Sequence, residues 1–552
     1  MPNLFYPVES IHQSQVQRLR HKVVLTPIPL MTMTAIFIVV TGNISFWLKV
    51  ADIFPFSHIG NWPMYAALLL ICSALIAILL SLTALVLPVR IVVSFYLIIT
   101  AVVAYFTGHL GVIVDADMIR NVLQTDRAEV SDLWSSAFAL RFISFGIIPV
   151  VGIWWVSFSQ PAVVVRQRNT LVFCGANLLI VLLVVFSMSG YFTSLFREHK
   201  LLRYYLNPIY PIYSAIKFLN HQNDALSSNI YNTVAGYAFV PSADTKKELV
   251  IVVVGEAARA DHFSVNGYHR STNPELSREQ GLISFSNVSA CGTSTAVSVP
   301  CLFAFANRTT FDVEASSHIE NVIDVLAKAG VSVLWRDNNS GSKGVADRIT
   351  YQNFKDPAVN SECDEVECRD TGMLLGLQEY IDQQQQDILI VLHQMGSHGP
   401  AYYKRYPKPF EKFTPTCNTN DLGKCSKDEI INSYDNSIVY TDYFLSQVIQ
   451  LLKENTPAFE TTMFYIGDHG ESLGERGLYL HGLPYALAPE EQVHVPLIVW
   501  AGDSSDIDYQ RSLLLKDNLI SHDAFSYGLL DIFEIESDIA EPQEINHFFA
   551  KL

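Results

Sequence analysis

Five long apolar runs, almost free of charge, occupy the first part of the chain, and they constrain the fold more than any other feature. An α-helix needs about 20 mostly apolar residues to cross a bilayer. Because each run is at least that long, we predict five membrane-spanning helices, at roughly 27–48, 63–87, 91–110, 138–158 and 170–194. The first run is followed by further spans and lacks a small-residue cleavage site, so we do not interpret it as a signal peptide.

Basic residues in the short loops predict how these helices are oriented. With five spans, the N-terminus and the loops after the second and fourth spans lie on the same side. All three are basic, through Arg18, Arg20, Lys22, Arg90, Arg166 and Arg168. The positive-inside rule therefore predicts a cytoplasmic N-terminus. Residues 195–552 would then lie on the opposite side, which is the periplasm in a Gram-negative cell.

Charge and cysteine usage divide the chain at the same point. The net charge is −17, and residues 1–200 alone are slightly basic, so the acidic residues are concentrated in the second part. An acidic domain is a poor partner for nucleic acid but is compatible with cation binding. Six cysteines of this part form three close pairs, which indicates disulfides and an oxidising compartment. A structural zinc site is the alternative, although C-x-x-C spacing is absent.

The sequence predicts three domains. Residues 1–197 are interpreted as a membrane domain, 198–247 as a tyrosine-rich linker suited to the membrane interface, and 248–552 as a catalytic domain. The loop at 111–137 contains Met118, Ile119, Val122 and Leu123, which fit one face of a short amphipathic helix near 115–130. We expect that helix at the outer membrane surface, with an ordinary connecting helix as the alternative.

The second part of the chain has the pattern of an α/β fold. Apolar, β-branched runs occur at 249–254, 331–335, 387–393, 462–467 and 495–500. Helical stretches at 319–329, 371–384 and 437–453 lie between them. Strands that alternate with helices predict a mostly parallel sheet, with ligands bound beyond the carboxyl ends of the strands.

Carboxylates and imidazoles follow several of these strands. Side chains suited to Zn²⁺ occur after four of them or shortly beyond, at Glu256, Asp337, His393, His398, Asp468, His469 and His481. Each of these alone is weak evidence, because an Asp-His pair is more often a loop hydrogen bond. Their shared position at strand ends predicts a metal site.

A hydroxyl-rich turn offers a nucleophile. The segment from Cys291 to Cys301 contains Thr293, Ser294, Thr295 and Ser298 and leads into an apolar, helix-like stretch. A hydroxyl at a helix start lies near free N–H groups that favour phosphate, and contact with Zn²⁺ would activate it. The alternative is that these residues only cap the helix.

At these residues the chain resembles the lipid A phosphoethanolamine transferases, the EptA/MCR-type family of the alkaline phosphatase/sulfatase superfamily. The resemblance covers essentially the whole chain. The matching motifs are Val253-Val-Gly-Glu-Ala-Ala-Arg-Ala260, Asn266-Gly-Tyr268, Cys291-Gly-Thr-Ser-Thr-Ala-Val-Ser-Val-Pro-Cys301, Gly396-Ser-His-Gly-Pro-Ala-Tyr402 and Asp468-His-Gly-Glu-Ser-Leu-Gly474. It implies a five-helix membrane domain joined to an alkaline phosphatase-like α/β domain.

The resemblance also implies a role for each matching residue. The zinc ligands would be Glu256, Thr295, Asp468 and His469, with Thr295 as the nucleophile. Residues implied to bind the phosphoethanolamine group, a second zinc ion or the lipid are His393, His398, His481, Asn339, Lys343, Asn121 and Glu129. The implied disulfides are Cys291–Cys301, Cys363–Cys368 and Cys417–Cys425.

The implied reaction transfers phosphoethanolamine from phosphatidylethanolamine to lipid A through a threonine-bound intermediate. It implies a monomeric inner-membrane enzyme whose product reduces the binding of polymyxins. One alternative is a phosphodiesterase; a sulfatase is disfavoured because Ser298-Val-Pro-Cys-Leu302 lacks the required arginine. Another acceptor, such as Kdo, heptose, a different glycan or a protein, is a second alternative. A non-catalytic membrane scaffold or transporter is a third, disfavoured because the predicted spans carry almost no charge.

Overall fold

The computed structural model describes residues 24–125, 127–158, 162–227, 231–241, 246–542 and 545–551. The basic residues Arg18, Arg20 and Lys22, used above to orient the chain, lie outside these ranges. The chain forms two compact units. The first joins the segment up to Gly108 with Ala137–Ile212, and the second joins His109–Ser136 with the segment from Tyr213 onward. The loop between the third and fourth predicted spans thus belongs to the second unit.

The described residues form helices in both units. In chain order they are α1 Pro27–Thr41, α2 Ile44–Ile53, α3 Trp62–Val86, α4 Val89–Tyr105, α5 Ala116–Gln124, α6 Arg127–Asp132, α7 Ser136–Phe142, α8 Ile148–Trp155, α9 Val163–Ser187, α10 Ser189–Glu198, α11 Ile209–Ser227, α12 Thr295–Leu302, α13 Val313–Ser316, α14 Val322–Ala329, α15 Leu377–Asp382, α16 Lys427–Asn455, α17 Tyr509–Leu513 and α18 Phe525–Ile532. Short 3₁₀ and π-helical turns connect several of them.

The first unit is a multi-pass membrane domain. Four helical segments are long and apolar enough to cross a bilayer: Ile59–Val86, Val89–Leu110, Ser136–Trp155 and Val163–Ser187. The first predicted span is instead two helices, α1 and α2, which meet at an angle of 60°. The described residues therefore provide four spans, or five if this bent pair crosses as one.

Polar contacts accompany the break between α1 and α2. The Asn43 amide donates to the carbonyls of Ile38 and Asn207, at 3.0 and 2.7 Å. Asn207 returns a backbone hydrogen bond to Asn43 Oδ1 and donates to the carbonyls of Gly42 and Thr100. These buried bonds satisfy backbone groups that the interrupted helix leaves open, which a bilayer core requires. Composition alone predicted one uninterrupted helix here.

The last spanning helix begins earlier than its apolar run. We predicted a start near residue 170, with Arg166 and Arg168 in a loop, but α9 begins at Val163 and contains both arginines. A hydropathy criterion shortens such a helix because it excludes charged residues. Long arginine side chains are nevertheless tolerated near the end of a spanning helix, where they reach the interface.

The second unit is built on an eight-stranded sheet. Its strands are β1 Lys247–Gly255, β2 Leu282–Ser289, β3 Ser332–Asp337, β4 Thr350–Asn353, β5 Ile388–His393, β6 Phe459–Gly467, β7 His494–Ala501 and β8 Ile520–Ser521. Their order across the sheet is β8-β2-β7-β6-β1-β5-β3-β4. Only β7 runs antiparallel to its neighbours, β6 and β2. The predicted α/β class with a mostly parallel sheet is confirmed.

The sequence predicted the central strands of the sheet most clearly. β1, β5 and β6 are adjacent and buried along almost their whole length. A parallel strand covered on both faces has this continuous apolar sequence. Because β1 pairs in parallel with β5 and β6, the carboxyl ends of all three meet at one edge. That edge carries the candidate site.

Candidate active site

Two strand ends and one helix start converge at the edge of the sheet. Glu256 follows β1, and Asp468 and His469 follow β6. Thr295 is the first residue of α12, after Ser294 in extended conformation. All four are at least 96% buried. The structure thus brings together the four residues proposed from the sequence as metal ligands and nucleophile.

Thr295 Oγ1 lies between an acid and an imidazole. It donates a hydrogen bond to Glu256 Oε2 at 2.9 Å and lies 3.3 Å from His469 Nε2. His469 Nε2 is also 3.3 Å from Glu256 Oε1 and 3.4 Å from Asp468 Oδ2. Ligand atoms about 2.0–2.1 Å from a tetrahedral zinc ion are separated by roughly 3.3 Å. The spacing of these side chains fits one such ion.

Hydrogen bonding leaves ligand atoms facing this cluster. Glu256 Oε1 and Asp468 Oδ2 are buried and have no hydrogen-bond partner. Asp468 Oδ1, by contrast, accepts from the backbone N–H groups of Ala257 and His469. His469 Nδ1 lies 2.9 Å from the Gly470 carbonyl, which fixes the proton on Nδ1 and leaves the Nε2 lone pair for a metal. A buried acceptor without a partner is costly, and a cation would compensate it.

The charges of these residues depend on one another. Burial would raise the pKa of the Glu256 carboxyl, but the imidazole of His469 holds it well below its usual range. Burial and the charge of Glu256 raise the pKa of Asp468 to about 6. Burial opposes protonation of His469, yet the two carboxylates raise its pKa to about 10. The carboxylates thus favour the charged form of His469, and the imidazole favours the charged form of Glu256.

A second imidazole completes a three-residue group suited to a metal. Glu256, His469 and His481 each offer a ligand atom, and these atoms lie within 4.8 Å of one another. His481 Nδ1 lies 2.7 Å from Glu471 Oε2, so the carboxylate orients the ring. The ring centroids of His469 and His481 are 4.2 Å apart, and those of His481 and His398 are 5.8 Å apart. The three imidazoles thus follow one another in the order His469, His481, His398, and His398 is the one that is not adjacent to His469.

Asn339 contacts the cluster directly, whereas His393 and Lys343 have other partners. The Asn339 amide donates to Glu256 Oε2 at 2.8 Å. His393 Nδ1 lies 2.9 Å from Asp337 Oδ2, and its Nε2 is buried without a partner. Lys343 Nζ donates to the carbonyl and hydroxyl of Ser340, both at 2.8 Å.

The loop residues Asn121 and Glu129 lie on α5 and α6, which belong to the same compact unit as the site. Helix α5 packs against α12, the helix that begins with Thr295. Met118 is buried there and approaches Gly482 so closely that a Cβ at Gly482 would lie 2.4 Å from Met118 Cε. Val122 and Leu123 are exposed, at 60% and 67%. The predicted helix is present, but Met118 does not share the exposed face of Val122 and Leu123.

Three disulfides join the six cysteines of this unit. They are Cys291–Cys301, Cys363–Cys368 and Cys417–Cys425. The first closes the turn that carries Thr295. Cys72 and Cys174 are unpaired.

Several supporting residues had no signal in the sequence. His522 Nδ1 accepts from the Cys291 N–H at 3.2 Å, and its Nε2 lies 3.0 Å from the Gly467 carbonyl. Burial lowers the pKa of His522 to about 3, so the ring is neutral and links the nucleophile turn to the end of β6. Asp370 accepts from the N–H groups of Met395 and Gly396 and so fixes the segment before His398. Asp370 does not follow a strand of the sheet, and His522 follows β8, a two-residue strand that no apolar run marks in the sequence.

The comparisons with known proteins agree first on the class. Residues 248–535 match the family model described as "Sulfatase", which fits the mostly parallel sheet and the buried acid–imidazole cluster at its edge. The second unit thus has the architecture of the alkaline phosphatase/sulfatase superfamily. Residues 71–223 match the model described as "Phosphoethanolamine transferase EptA/EptB".

Similar proteins define the family within that class. Phosphatidylethanolamine transferase Mcr-1 of Escherichia coli is 41% identical over 93% of this chain and 96% of its own length. Phosphoethanolamine transferase EptA of Escherichia coli K12 is 36% identical over 92% of each chain. The solved integral membrane protein lipooligosaccharide phosphoethanolamine transferase A from Neisseria meningitidis superposes with a TM-score of 0.87, at 30% identity, over 93% of this chain and 97% of that one. The chain belongs to the phosphoethanolamine transferase family.

Proposed function

We propose that the protein transfers phosphoethanolamine from phosphatidylethanolamine to a phosphate of lipid A, through a covalent intermediate on Thr295 at a zinc site. The observation that carries the proposal is the contact of Thr295 Oγ1 with Glu256 and His469, at 2.9 and 3.3 Å. Relatives named phosphatidylethanolamine transferase and phosphoethanolamine transferase support the identity of the transferred group. Glu256, Thr295, Asp468 and His469 would hold the zinc ion, which when bound stabilises negative charge on oxygen.

The first half of the reaction forms a bond between Thr295 Oγ1 and phosphorus. Glu256 Oε2 is the acceptor for the threonine proton, because the hydroxyl already donates to it. The bond from phosphorus to the diacylglycerol oxygen breaks, and that oxygen takes up a proton as diacylglycerol leaves. His481 is the nearest histidine outside the proposed ligand set and is oriented by Glu471, so we assign this proton to His481.

The second half returns the nucleophile to its starting state. A phosphate oxygen of lipid A attacks the phosphorus, the bond to Thr295 breaks, and Oγ1 regains its proton from Glu256. The proton that the attacking phosphate gives up returns to His481. The free N–H groups at the start of α12 favour the phosphate charge in both halves. Lys343 would supply a further positive charge, and Asn339 keeps Glu256 in position by its 2.8 Å hydrogen bond.

The remaining residues are assigned to the substrates and to support. We propose that His393, His398 and His481 line the phosphoethanolamine site or hold a second zinc ion, and that Asn121 and Glu129 position the lipid. Lipid substrates account for an active site joined to a membrane domain. We further propose a monomer in the inner membrane, with a cytoplasmic N-terminus and a periplasmic catalytic unit, whose product confers polymyxin resistance.

A different acceptor is the main alternative. A relative named Kdo(2)-lipid A phosphoethanolamine 7''-transferase from Escherichia coli K12 is 29% identical over 75% of this chain. The same chemistry on Kdo, heptose or another envelope glycan would use the same residues. Transfer to water, which would make the protein a phosphodiesterase, differs only in the second half of the reaction.

Mass spectrometry of lipid A from a polymyxin-sensitive host tests the proposal. The samples are empty vector, wild type, Thr295→Ala and the control Thr309→Ala. The control changes an exposed threonine in the segment that follows α12. We expect added phosphoethanolamine in the wild type and the control, and none with Thr295→Ala. Unmodified lipid A in cells that contain inserted wild-type protein would refute lipid A as acceptor, and core sugars would then be analysed.

A further inference from the structure

Helix α6 is held to the catalytic body by a buried acidic residue at its end. Asp132 closes α6, and its side chain is 8% exposed. One carboxylate oxygen accepts from Arg405 at 2.9 Å, and the other accepts from Lys404 at 2.5 Å. Glu129 lies one helical turn earlier on the same helix. The contacts of Asp132 therefore fix the position of α6, and with it the position of Glu129.

Arg405 also contacts the segment that carries His398. Its Nε donates to the His398 carbonyl at 2.7 Å, and its remaining terminal nitrogen donates to Glu367. The side chain is 4% exposed, so all three contacts are screened from water. A guanidinium group is planar and rigid, so its donors hold three partners in one fixed arrangement. A lysine ammonium could not reproduce that arrangement.

These groups surround a cavity beside the site. The cavity has a volume of about 300 Å³, and its walls include Glu129 and Asp132 from α6, Asn338 after β3, and Met395 and Arg405 from the segment after β5. Asn338 is adjacent to Asn339, which contacts Glu256. Part of the lining thus comes from the loop between two predicted membrane spans, and part comes from the segments that follow β3 and β5.

We propose that Asp132 and Arg405 are a positioning pair that sets the distance between Glu129 on α6 and His398, and thereby the affinity for the lipid donor. The inference rests on the proposed function, because Glu129 and His398 are assigned there to substrate binding. Neither Asp132 nor Arg405 touches Thr295 or the ligands proposed for the first zinc ion, Glu256, Asp468 and His469, in any described contact. The pair acts on substrate binding and leaves the bond-making step to the cluster around Thr295.

Steady-state kinetics with phosphatidylethanolamine in detergent micelles tests the inference on the full-length zinc-loaded protein. The variants are Asp132→Asn, Arg405→Lys and the double variant. The control is Lys408→Met, which removes an 81% exposed lysine from an ion pair with Glu411 three residues away. We expect the KM for the donor to rise about 10- to 100-fold in each variant, because small displacements of substrate-positioning groups have effects of this size. The kcat should change less than twofold.

A second measurement separates positioning from general stability. Hydrogen exchange of the amides in α5 and α6 should become faster in Asp132→Asn, while zinc content and thermal midpoint stay at the wild-type values. Because both residues act as one unit, the double variant should be no worse than Arg405→Lys. An unchanged KM, or a kcat that falls together with zinc content, would overturn the inference. A wild type without donor cleavage would instead refute the proposed function.

Discussion

At the scale of single residues, the site depends on which atom of each side chain already makes a hydrogen bond to the backbone. Backbone N–H groups occupy one oxygen of Asp468, and the Gly470 carbonyl occupies one nitrogen of His469. The other nitrogen of His469 lies 3.3 Å from Thr295 Oγ1, and the other oxygen of Asp468 lies 3.4 Å from that nitrogen. Glu256 differs, because its Oε2 accepts from both Thr295 and Asn339 while Oε1 has no partner.

Glu256→Gln tests the use of both carboxylate oxygens. An amide supplies one acceptor where the structure requires two, and it removes the negative charge that a zinc ion would neutralise. We expect loss of bound zinc and a decrease in transfer of more than about 100-fold, since changes merely next to a metal ligand already cost about 10- to 100-fold. Zinc per protein by elemental analysis and transfer to lipid A are the measurements. Glu275→Gln is the control, and full zinc content in Glu256→Gln would contradict the assignment.

Asp115, at the start of α5, is expected to make stability depend on pH. Burial, and next the charge of Asp117, raise the pKa of Asp115 to about 7 from its ordinary value of 3.8, against the opposing influence of Arg120, Lys217 and the Met118 N–H. The folded state therefore binds this proton more tightly than the unfolded state does. Its stabilising contribution is complete below about pH 4 and is lost as the pH rises through about 7.

Asp115→Asn isolates this effect. The amide oxygen can still accept from the Met118 N–H, as Asp115 Oδ1 does at 2.9 Å, but the side chain no longer titrates. We expect the thermal midpoint of the variant to decline less than that of the wild type between pH 5 and 8. Asp115→Ala should lower the midpoint at every pH, because it also removes the helix cap, which is worth about 1 kcal/mol. Parallel pH profiles for wild type and Asp115→Asn would contradict this prediction.

At the scale of elements, the sequence predicted most clearly those strands and helices whose residues are all in an apolar environment, either the protein core or the predicted membrane. β1 is buried on both faces and was recognised from its continuous apolar run. β2 was not predicted, because its residues alternate between buried and partly exposed and include three serines. The helix expected at 371–384 is divided into a 3₁₀ turn at Asp370–Leu374 and α15. Periodicity describes one face of an element and does not show where tertiary contacts interrupt it.

The close packing at the helix break between α1 and α2 can be tested by substitution. A Cβ at Gly42 would lie 2.2 Å from Thr100 Cγ2 on α4, so a side chain there must separate two helices. We expect Gly42→Ala to reduce the free energy of unfolding by about 1–3 kcal/mol, the usual effect of overpacking. Thr100→Ser removes the obstructing methyl group and should partly restore stability. Gly152→Ala is the matched control, because nothing lies within 4 Å of its Cβ position.

Thermal unfolding in detergent measures this series. Gly152→Ala should be neutral or stabilising by about 0.5–1 kcal/mol, since alanine favours a helix over glycine. Equal midpoints for Gly42→Ala and Gly152→Ala would show that the approach of α1 to α4 does not limit packing.

At the scale of the whole molecule, three disulfides cross-link the second unit. Cys291 and Cys301 are separated by ten positions and enclose Thr295. Replacing both by serine should reduce stability by about 2–4 kcal/mol and reduce transfer to lipid A, because the nucleophile turn is released. Cys174→Ser is the control, since Cys174 is unpaired. Chemical denaturation and lipid A mass spectrometry are the measurements, and full activity of the double serine variant would contradict a role for this disulfide in holding Thr295.

The sequence by itself determined the class of protein and predicted which side chains meet at the site. Continuous apolar runs identify spanning helices and buried strands, and the ends of parallel strands must meet at one edge. Glu256, Asp468 and His469 could therefore be grouped from their positions alone. The hydroxyl-rich turn that leads into a helix indicated where a nucleophile could lie, and the family resemblance selected Thr295 within it.

Only the tertiary structure decided what surrounds that site. The loop between two membrane spans belongs to the catalytic unit, where α5 packs against α12 and Asp132 pairs with Arg405. These two residues are 273 positions apart in the chain. Local patterns of hydropathy and charge report the environment of a segment but not the identity of its distant partner. The fold alone brings such partners together, because it buries both and so makes their pairing necessary.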